Sequence, residues 1–435
     1  MQKVGRQIVR TLLLTVACVL SAIGAKAQGA DVEILDSRIR TVEFRHSEAA
    51  DRTTGKVPQV VMCHLAAPET LTLDFDMIGS ETETLYYTFL HANREWEPSD
   101  LMDMEFCNSI NRFDGYDSHQ QSFNTTTDYV HYHIDISTEP LTASGNYFVD
   151  VYSVSDDRLL LRQKLWICED LCGVESEIEY VGSRQRLRVV VTATGMNIST
   201  PEEQLQVDVW QNKRLDDTRR LTTPTFINGG QASRSATTYT YTDIEPLYFE
   251  GGAEWLWADN RSIRNVTFGS ARIEYFEPFY HYTLSADQRR PYTYREDFNG
   301  GSWIETQDRT DDVTVSADYS IVHFSFLPDD PELLRTHQFF VIGDATGWTP
   351  TSANMLSPNY DNISFDGQYL IKQGLHNYTY VARKREKDVP RFSDSVGSYG
   401  QTENDYFIAV YVHLPQDTYD RLTAFKTHNS MYKKR

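Results

Sequence analysis

Apolar and polar side chains alternate over short stretches along almost the whole chain. Between residues 130 and 136, Val, Tyr, Ile and Ile alternate with His131, His133 and Asp135, which places apolar and polar residues on opposite faces. This alternation is typical of a strand that buries one face. Similar runs predict strands at 85–90, 147–154, 159–167, 187–194, 205–210, 237–242, 321–326, 378–381 and 407–412.

The spacing of these runs predicts an all-β protein. Gly, Asn, Asp and Pro separate the runs, and no long segment carries a convincing helical stripe, so tandem β-sandwich domains are expected. Polar stretches follow residue 172 and fill 285–315. We therefore expect an N-terminal sandwich at 28–172, a second sandwich at 173–284, a linker at 285–315 and a C-terminal sandwich at 316–435.

The beginning of the chain predicts export. Lys3, Arg6 and Arg10 precede an apolar run at 11–25, and Ala25-Lys26-Ala27 provides small residues at a cleavage site. These features are typical of a signal peptide, here at 1–27. The apolar run is too short to cross a bilayer core of about 30 Å, and no comparable run follows it. No transmembrane segment is therefore expected.

The charge of the chain excludes some classes of partner. The formal net charge is -21, and the predicted signal peptide contributes four cations and no acid, so the mature chain is more acidic still. Such an excess of negative charge repels nucleic acids and anionic lipid surfaces. Neither is expected to bind.

Four cysteines follow the predicted cleavage site: Cys63, Cys107, Cys168 and Cys172. An even number in an exported chain permits disulfides, but four in so long a chain do not make a disulfide scaffold. Zinc is the weaker alternative, because Cys168 and Cys172 form the only closely spaced pair. We expect free or singly bridged thiols, and the pairing stays open.

No residue pattern predicts catalysis. His131, His133 and Asp135 share one face of a strand and offer metal-ligand atoms, but the polar face of an amphipathic strand explains them equally simply and is the interpretation we favour. A serine nucleophile elbow, a His-Glu-x-x-His motif, a phosphate-binding loop and an EF-hand are all missing. We expect no enzyme activity and no cofactor.

A series of motifs resembles one protein family. The segment 91–99 reads His-Ala-Asn-Arg-Glu-Trp-Glu-Pro-Ser, and the motifs that follow in order are Ser122-Phe-Asn-Thr, Ser144-Gly-Asn-Tyr147, Trp210-Gln-Asn with Arg214, Phe249-Glu-Gly-Gly-Ala-Glu254, Arg261-Ser-Ile-Arg264, Pro291-Tyr292, Phe298-Asn-Gly300, Ala317-Asp-Tyr319 and Thr402-Glu-Asn404. In this order they resemble the plug protein family of the bacterial type IX secretion system.

The resemblance implies a function without chemistry. A member of this family is expected to be a periplasmic protein, peripherally associated with the outer membrane, that seals the periplasmic end of the translocon barrel by protein–protein docking. No small-molecule substrate is implied. Interfaces favour Trp and Arg, so Trp96 and Arg94 in the segment 91–99 are candidate docking residues. Packing of Trp96 against its own domain is the alternative.

The C-terminal unit contains a second pattern. Phe339-Phe-Val-Ile-Gly343-Asp344-Ala-Thr-Gly347-Trp348 resembles a turn of the early-set sandwiches, which include starch- and glycogen-binding modules. The fold expected from this resemblance is a tandem of immunoglobulin-like and early-set sandwiches. Trp348 is a candidate for stacking on a ligand, although packing inside its own sandwich is favoured. The alternative function is an exported carbohydrate-binding protein that uses its C-terminal domain.

Overall fold

The computed structural model describes residues 30–47, 60–115, 118–229, 236–307, 312–386 and 388–431. The predicted signal peptide lies outside the described residues. Within these ranges the protein is mostly β, with several antiparallel sheets and a few short helices. The described helices are α1 (Asp103–Phe106), α2 (Pro201–Gln204), α3 (Val313–Ser316) and α4 (Leu333–Thr336), with 3-10 turns at Leu215–Asp217 and Glu245–Leu247.

The strands follow the predicted alternation. In chain order they are β1 (Val32–Ile34), β2 (Ile39–His46), β3 (Met62–His64), β4 (Thr70–Ile78), β5 (Leu85–Ala92), β6 (Phe113–Asp114), β7 (Ser118–Gln121), β8 (Tyr129–Ser137), β9 (Gly145–Ser153), β10 (Leu159–Cys168), β11 (Cys172–Val181), β12 (Arg184–Ala193), β13 (Leu205–Gln211), β14 (Arg219–Leu221) and β15 (Phe226–Gly229). They continue with β16 (Thr237–Tyr241), β17 (Tyr248–Glu250), β18 (Leu256–Asp259), β19 (Ser270–Phe276), β20 (Phe279–Leu284), β21 (Asp287–Gln288), β22 (Ser302–Ile304), β23 (Tyr319–Leu327), β24 (Gln338–Ile342), β25 (Met355–Asn359), β26 (Ser364–Lys372), β27 (Gly374–Arg383), β28 (Asp405–Val412) and β29 (Arg421–Asn429).

Two sheets enclose the first hydrophobic core. One sheet has the order β1-β10-β9-β5-β6, with β3 parallel to β10, and the other has the order β2-β4-β8-β7. Val130, Tyr132, Ile134 and Ile136 of β8 point into this core, as their alternation predicts. Full burial of each large apolar side chain contributes about 1.5–3 kcal/mol relative to an exposed one.

Two further sheets enclose the second core. Their orders are β11-β12-β16-β15, with β17 beside β12, and β14-β13-β28-β29. The core between them combines side chains from the middle of the chain, such as Val207 and Tyr239, with side chains close to its end, such as Ile408 and Val410.

A ten-stranded sheet surrounds the third core. Its order is β18-β27-β24-β25-β26-β23-β20-β19, with β21 beside β23 and β22 beside β27. Phe324, Phe339, Phe365 and Tyr380 meet in this core, and the rings of Phe339 and Phe365 stack with their centroids 4.0 Å apart.

Strand pairing crosses the predicted domain boundaries. The sequence places β28 and β29 in the C-terminal unit at 316–435, but β28 pairs with β13, β29 pairs with β28, and both contribute to the second core. β20, from the predicted second unit at 173–284, lies parallel to β23 in the ten-stranded sheet. The division into 28–172, 173–284 and 316–435 stays a prediction, and long-range hydrogen bonds connect its units.

Candidate functional site

The segment 91–99 is a tight turn held by its own side chains. His91 is buried near the end of β5, and Asn93 Oδ1 accepts hydrogen bonds from the backbone N–H groups of Glu95 and Glu97, at 3.0 and 2.9 Å. Trp96 takes a left-handed backbone conformation, with φ of 64°. This conformation is costly for a residue with a side chain, so the surrounding contacts must hold the turn in place.

His91 has a structural role in this turn. Its Nε2 lies 3.0 Å from the carbonyl oxygen of Ser144 and its Nδ1 lies 2.8 Å from Ser99 Oγ. Because a carbonyl only accepts, Nε2 carries the proton and Nδ1 accepts from the Ser99 hydroxyl. Burial lowers the pKa of His91, which favours this neutral form. A Cβ at Gly145 would lie 2.8 Å from Nε2, which explains the glycine in Ser144-Gly-Asn-Tyr147.

The ring of Trp96 packs inside the protein. It lies edge-on to Trp166, with centroids 4.9 Å apart, and tilted against Phe148 at 5.4 Å. The ammonium of Lys164 sits 4.5 Å from the ring centroid, and burial lowers the pKa of Lys164 to about 7. The structure therefore uses much of the Trp96 surface for internal contacts while leaving the side chain partly exposed.

Trp96 belongs to an aromatic seam between the first and second cores, which we define as Trp96, Trp166, Trp210, Phe407 and Phe425. Trp166 stacks on Trp210 and Trp210 stacks on Phe407, both with centroids 5.6 Å apart and ring planes 19° apart. These side chains come from the turn at 91–99 and from four strands, β10, β13, β28 and β29. The aromatic seam joins the first pair of sheets to the sheet that contains β13 and β28.

Arg94 connects the same turn to the end of the chain. Its backbone N–H donates to Asp420 Oδ2 at 3.1 Å, and its guanidinium Nε lies 3.1 Å from Glu95 Oε1. Glu95 also forms an ion pair at 3.3 Å with Arg220, which lies in β14. Arg94 and Trp96, the two docking candidates of this segment, therefore both lie at the junction between the first and second cores.

A buried polar network joins the first core to the third. Asp76 on β4 accepts hydrogen bonds from Lys372 Nζ and from the Tyr319 hydroxyl, both at 2.6 Å, and its other oxygen lies 2.8 Å from His131 Nδ1. Asp76 and Lys372 are almost fully buried, with 1% and 3% of their side chains exposed. We call Asp76, His131, Tyr319 and Lys372 the Asp76 network. The Ala317-Asp-Tyr319 motif is part of this contact.

The polar face of β8 lines a small cleft beside this network. Asp74 accepts from Arg45 at 2.6 Å and lies 2.7 Å from His133 Nδ1. The cleft has a volume of about 290 Å³ and is lined by Arg45, Asp74, Ser118, Gln120, His131, His133 and Thr314. His131 and His133 are thus each paired with a carboxylate of the neighbouring strand, in agreement with the interpretation of these residues as a polar strand face.

Three of the sequence motifs meet between the second and third cores. Asn404 donates to the carbonyl oxygen of Gly251 at 2.8 Å, and Asn212 donates to Asn404 Oδ1 at 3.0 Å. Gln185 receives a 2.6 Å hydrogen bond from the Tyr406 hydroxyl. A Cβ at Gly251 would lie 1.9 Å from the carbonyl oxygen of Tyr399, so only glycine fits there. These motifs hold strands together rather than forming a pocket.

Trp348 packs against residues that precede the predicted C-terminal unit in the chain. Its ring meets Trp255 at a centroid distance of 5.3 Å, and only 6% of the residue is exposed. A Cβ at Gly300 would lie 2.3 Å from the ring. The face of the indole is therefore occupied by protein, and this geometry gives no support to stacking on a sugar.

An exposed apolar segment on the first unit escaped the sequence reasoning. Met102, Met104 and Ile110 are 65%, 81% and 85% exposed. Met102 and Met104 lie on either side of Asp103, the first residue of α1. The side chain of Glu105 stabilises this first turn, because its Oε2 accepts a hydrogen bond from the Met102 N–H at 2.8 Å. The signal in the sequence was present but weak, because isolated apolar residues in loops are common.

Comparison with known proteins supports the resemblance. Residues 39–169 match the model of the type 9 secretion system plug protein 1st domain. No curated protein matches the chain. A crystal structure of a hypothetical protein from Parabacteroides merdae aligns with a TM-score of 0.82 and 24% identity, over 92% of this chain and 99% of that chain, which shows the same fold. Dimeric latent PorU from Porphyromonas gingivalis aligns with a TM-score of only 0.14 and carries no argument.

The two comparisons show different things. The family match covers residues 39–169 and names a component of a secretion system, whereas the aligned crystal structure shows a shared fold alone. Residues 39–169 therefore match the first domain of the type 9 secretion system plug protein family, which confirms the resemblance seen in the sequence motifs. No helix among the described residues is long and apolar enough to cross a membrane.

Proposed function

We propose that this protein is a periplasmic plug subunit that closes the periplasmic end of the type IX translocon pore by docking on the outer-membrane translocon barrel. The action is mechanical and needs neither catalysis nor a cofactor. The observation that carries the proposal is the family match over residues 39–169. The protein is exported by its signal peptide at 1–27 and associates peripherally with the outer membrane.

The internal contacts suit such a task. A plug has to keep its shape while it blocks a pore, so its units should not move freely against one another. The aromatic seam joins the first and second cores, and the Asp76 network joins the first and third. Interfaces that bury stacked aromatic rings and satisfied ion pairs resist separation. We further propose that the units are immunoglobulin-like and early-set sandwiches.

We propose the exposed segment 102–110 as the main docking surface on the first unit. Met102, Met104 and Ile110 offer exposed apolar side chains, and flexible Met side chains adapt well to a partner. Arg94 and Trp96 support docking indirectly. They stabilise the turn that presents Glu97 and Pro98 to solvent. Both segments, 91–99 and 102–110, lie within residues 39–169, the part of the chain that matches the plug protein 1st domain.

Co-purification tests the function and the surface together. The mature protein should capture the translocon barrel from detergent-solubilised outer membrane, and the triple variant Met102→Ser, Met104→Ser, Ile110→Ser should retain at most about a tenth of this capture, because loss of about 1.4 kcal/mol reduces affinity tenfold. The matched control is Val266→Ser with Phe268→Ser, which are also exposed, at 58% and 73%.

Two results would count against the proposal. Failure of the wild type to capture the barrel at low salt contradicts the plug function itself. Normal capture by the triple variant, with loss of capture in the control variant, keeps the function but moves the docking surface away from segment 102–110.

A further inference from the structure

One cluster of side chains in the first unit has the composition of a metal site. His46 at the end of β2, Cys63 in β3 and Glu69 just before β4 offer a nitrogen, a sulfur and an oxygen atom that all lie within 4.8 Å of one another. Cys63 is fully buried, whereas the side chains of His46 and Glu69 are 24% and 34% exposed. The sulfur thus lies at the bottom of a shallow site that opens to solvent.

We propose that His46, Cys63 and Glu69 bind a Zn²⁺ ion, with water as the fourth ligand. Imidazole nitrogen, thiolate sulfur and carboxylate oxygen are the three ligand atoms that zinc takes in proteins, and a site with three protein ligands leaves one position to water. Bond lengths near 2.0–2.3 Å place tetrahedral ligand atoms about 3.5 Å apart. Side-chain movements of about 1 Å bring the three atoms to that spacing.

The backbone around the site is already fixed. Glu69 donates its N–H to Thr138 Oγ1 at 2.9 Å, and the Thr138 N–H donates to the Glu69 carbonyl at 3.0 Å. Cys63 lies opposite Ile167 in the parallel pair of β3 and β10, and His46 lies opposite Leu71. Two strands, one from each sheet, and the residue before β4 therefore present the ligands, so little chain entropy is lost when the ion binds.

Charge also favours a dipositive ion. A Cys63 thiolate and a Glu69 carboxylate carry two negative charges, and a neutral His46 carries none, so the complex with Zn²⁺ is electrically neutral. A neutral complex avoids most of the cost of keeping charge in a partly buried place. Without metal, His46 Nδ1 and Glu69 Oε2 share a hydrogen bond of 2.6 Å, which the ion would replace.

Zinc binds the thiolate of Cys63, so the thiol loses its proton when the ion binds. On binding, the S–H bond breaks, the S–Zn bond forms and the proton passes to water. The ion would connect β2, β3 and β4, and so the two sheets, at one end of the first core. This inference does not depend on the proposed plug function.

Cobalt substitution of the purified mature protein tests the site directly. Co²⁺ added to metal-free protein should bind at one equivalent. The complex should show the d–d absorption of tetrahedral Co²⁺ together with a sulfur-to-cobalt charge-transfer band, and Zn²⁺ should displace the Co²⁺. The isosteric variant Glu69→Gln and the variant His46→Gln should weaken binding of Zn²⁺ at least about tenfold, the range that loss of a contact in the metal's surroundings produces. Cys63→Ser should abolish the charge-transfer band.

Matched variants keep the test decisive. Cys107→Ser changes another buried free cysteine of the same core and should leave the bands unchanged. Circular dichroism of Glu69→Gln should match the wild type, which separates loss of a ligand from loss of the fold. The proposal is overturned if no equivalent of Zn²⁺ binds at micromolar concentration, or if binding survives all three ligand variants. Cys168 lies beside Asp170, which contacts His64. Loss of the bands in Cys168→Ser, with the bands kept in the three ligand variants, would also overturn the proposal.

Discussion

At the scale of the residue, the acidic chain keeps several charged groups inside the protein. Lys372 is the clearest case, because its Nζ contacts Asp76 at 2.6 Å and the carbonyl oxygen of Thr314 at 2.6 Å. The ammonium also lies 4.3 Å from the centroid of the Tyr129 ring. Buried charges are tolerated only when they are paired and hydrogen-bonded, and this one is.

Replacement of Lys372 should lower the free energy of unfolding. Lys372→Met leaves the Asp76 carboxylate buried without its cation, so the variant should lose about 3–5 kcal/mol of stability. The double variant Asp76→Asn, Lys372→Met should recover part of this loss. Chemical denaturation measures both, and Lys384→Met at an exposed site is the control. An unchanged denaturation midpoint for Lys372→Met would contradict the role assigned to the Asp76 network.

His376 should make stability depend on pH. Burial lowers the pKa of His376 to about 4, and its Nε2 lies 2.9 Å from the carbonyl oxygen of Lys372. A histidine with a lowered folded pKa loses stability as pH falls below its unfolded pKa of about 6.5. The loss should reach about 2 kcal/mol by pH 5.

A difference measurement isolates this group. The free energy of unfolding of the wild type minus that of His376→Gln should stay constant above pH 7 and fall steadily from pH 6.5 to 4. A flat difference for His376→Gln would mean that the imidazole is not buried in its neutral form.

At the scale of the element, β13 depends on a strand almost 200 residues later. Its ladder with β28 runs from Leu205 opposite Val412 to Gln211 opposite Tyr406. Without β28, the backbone groups on that side of β13 lose their partners, and the core around Val207 and Val209 loses the β28 side chains, among them Ile408 and Val410. Unpaired buried backbone groups are strongly unfavourable.

Fragments of the chain test this dependence. The fragment 173–284, which the sequence suggests as a domain, should fail to fold alone because it lacks β28 and β29. The same fragment extended by a flexible linker to residues 402–431 should regain β-sheet circular dichroism and a cooperative unfolding transition. Cooperative folding of 173–284 by itself would show that the second core does not need its distant strands.

At the scale of the whole molecule, the aromatic seam determines whether the first and second cores unfold together. Trp166 and Trp210 are each at most 2% exposed and stack on one another between two cores. Truncation of a buried Trp costs about 3–5 kcal/mol, and here the loss falls on the contact between units. Trp166→Ala should therefore uncouple the first unit from the second.

Calorimetry and limited proteolysis measure the uncoupling. The wild type should unfold in one main transition, whereas Trp166→Ala should add an earlier transition and become sensitive to cleavage near residues 169–172. Trp303→Ala changes a partly exposed tryptophan outside the aromatic seam and serves as the control. A single transition in Trp166→Ala would show that other contacts suffice to hold the units together.

The sequence predicted the positions of the main strands, but not the contacts between residues that lie far apart in the chain. The alternation around His131 and His133 correctly indicated a buried and a polar face, because the side-chain period of a strand is a local property. The order of the motifs pointed to the plug family. The same reasoning could not show that Trp96 packs on Trp166, since the two residues are 70 positions apart and nothing local marks the contact.

What the sequence determined by itself is the position of the main strands, the buried and polar faces of β8 and the resemblance to one family. The tertiary structure alone decided which strands pair, where Lys372 finds Asp76, and that His46, Cys63 and Glu69 come within ligand distance. The physical reason is the range of the forces involved. Alternation follows from the geometry of one strand, whereas pairing and burial are set by the free energy of the whole chain, to which residues contribute regardless of their separation in sequence.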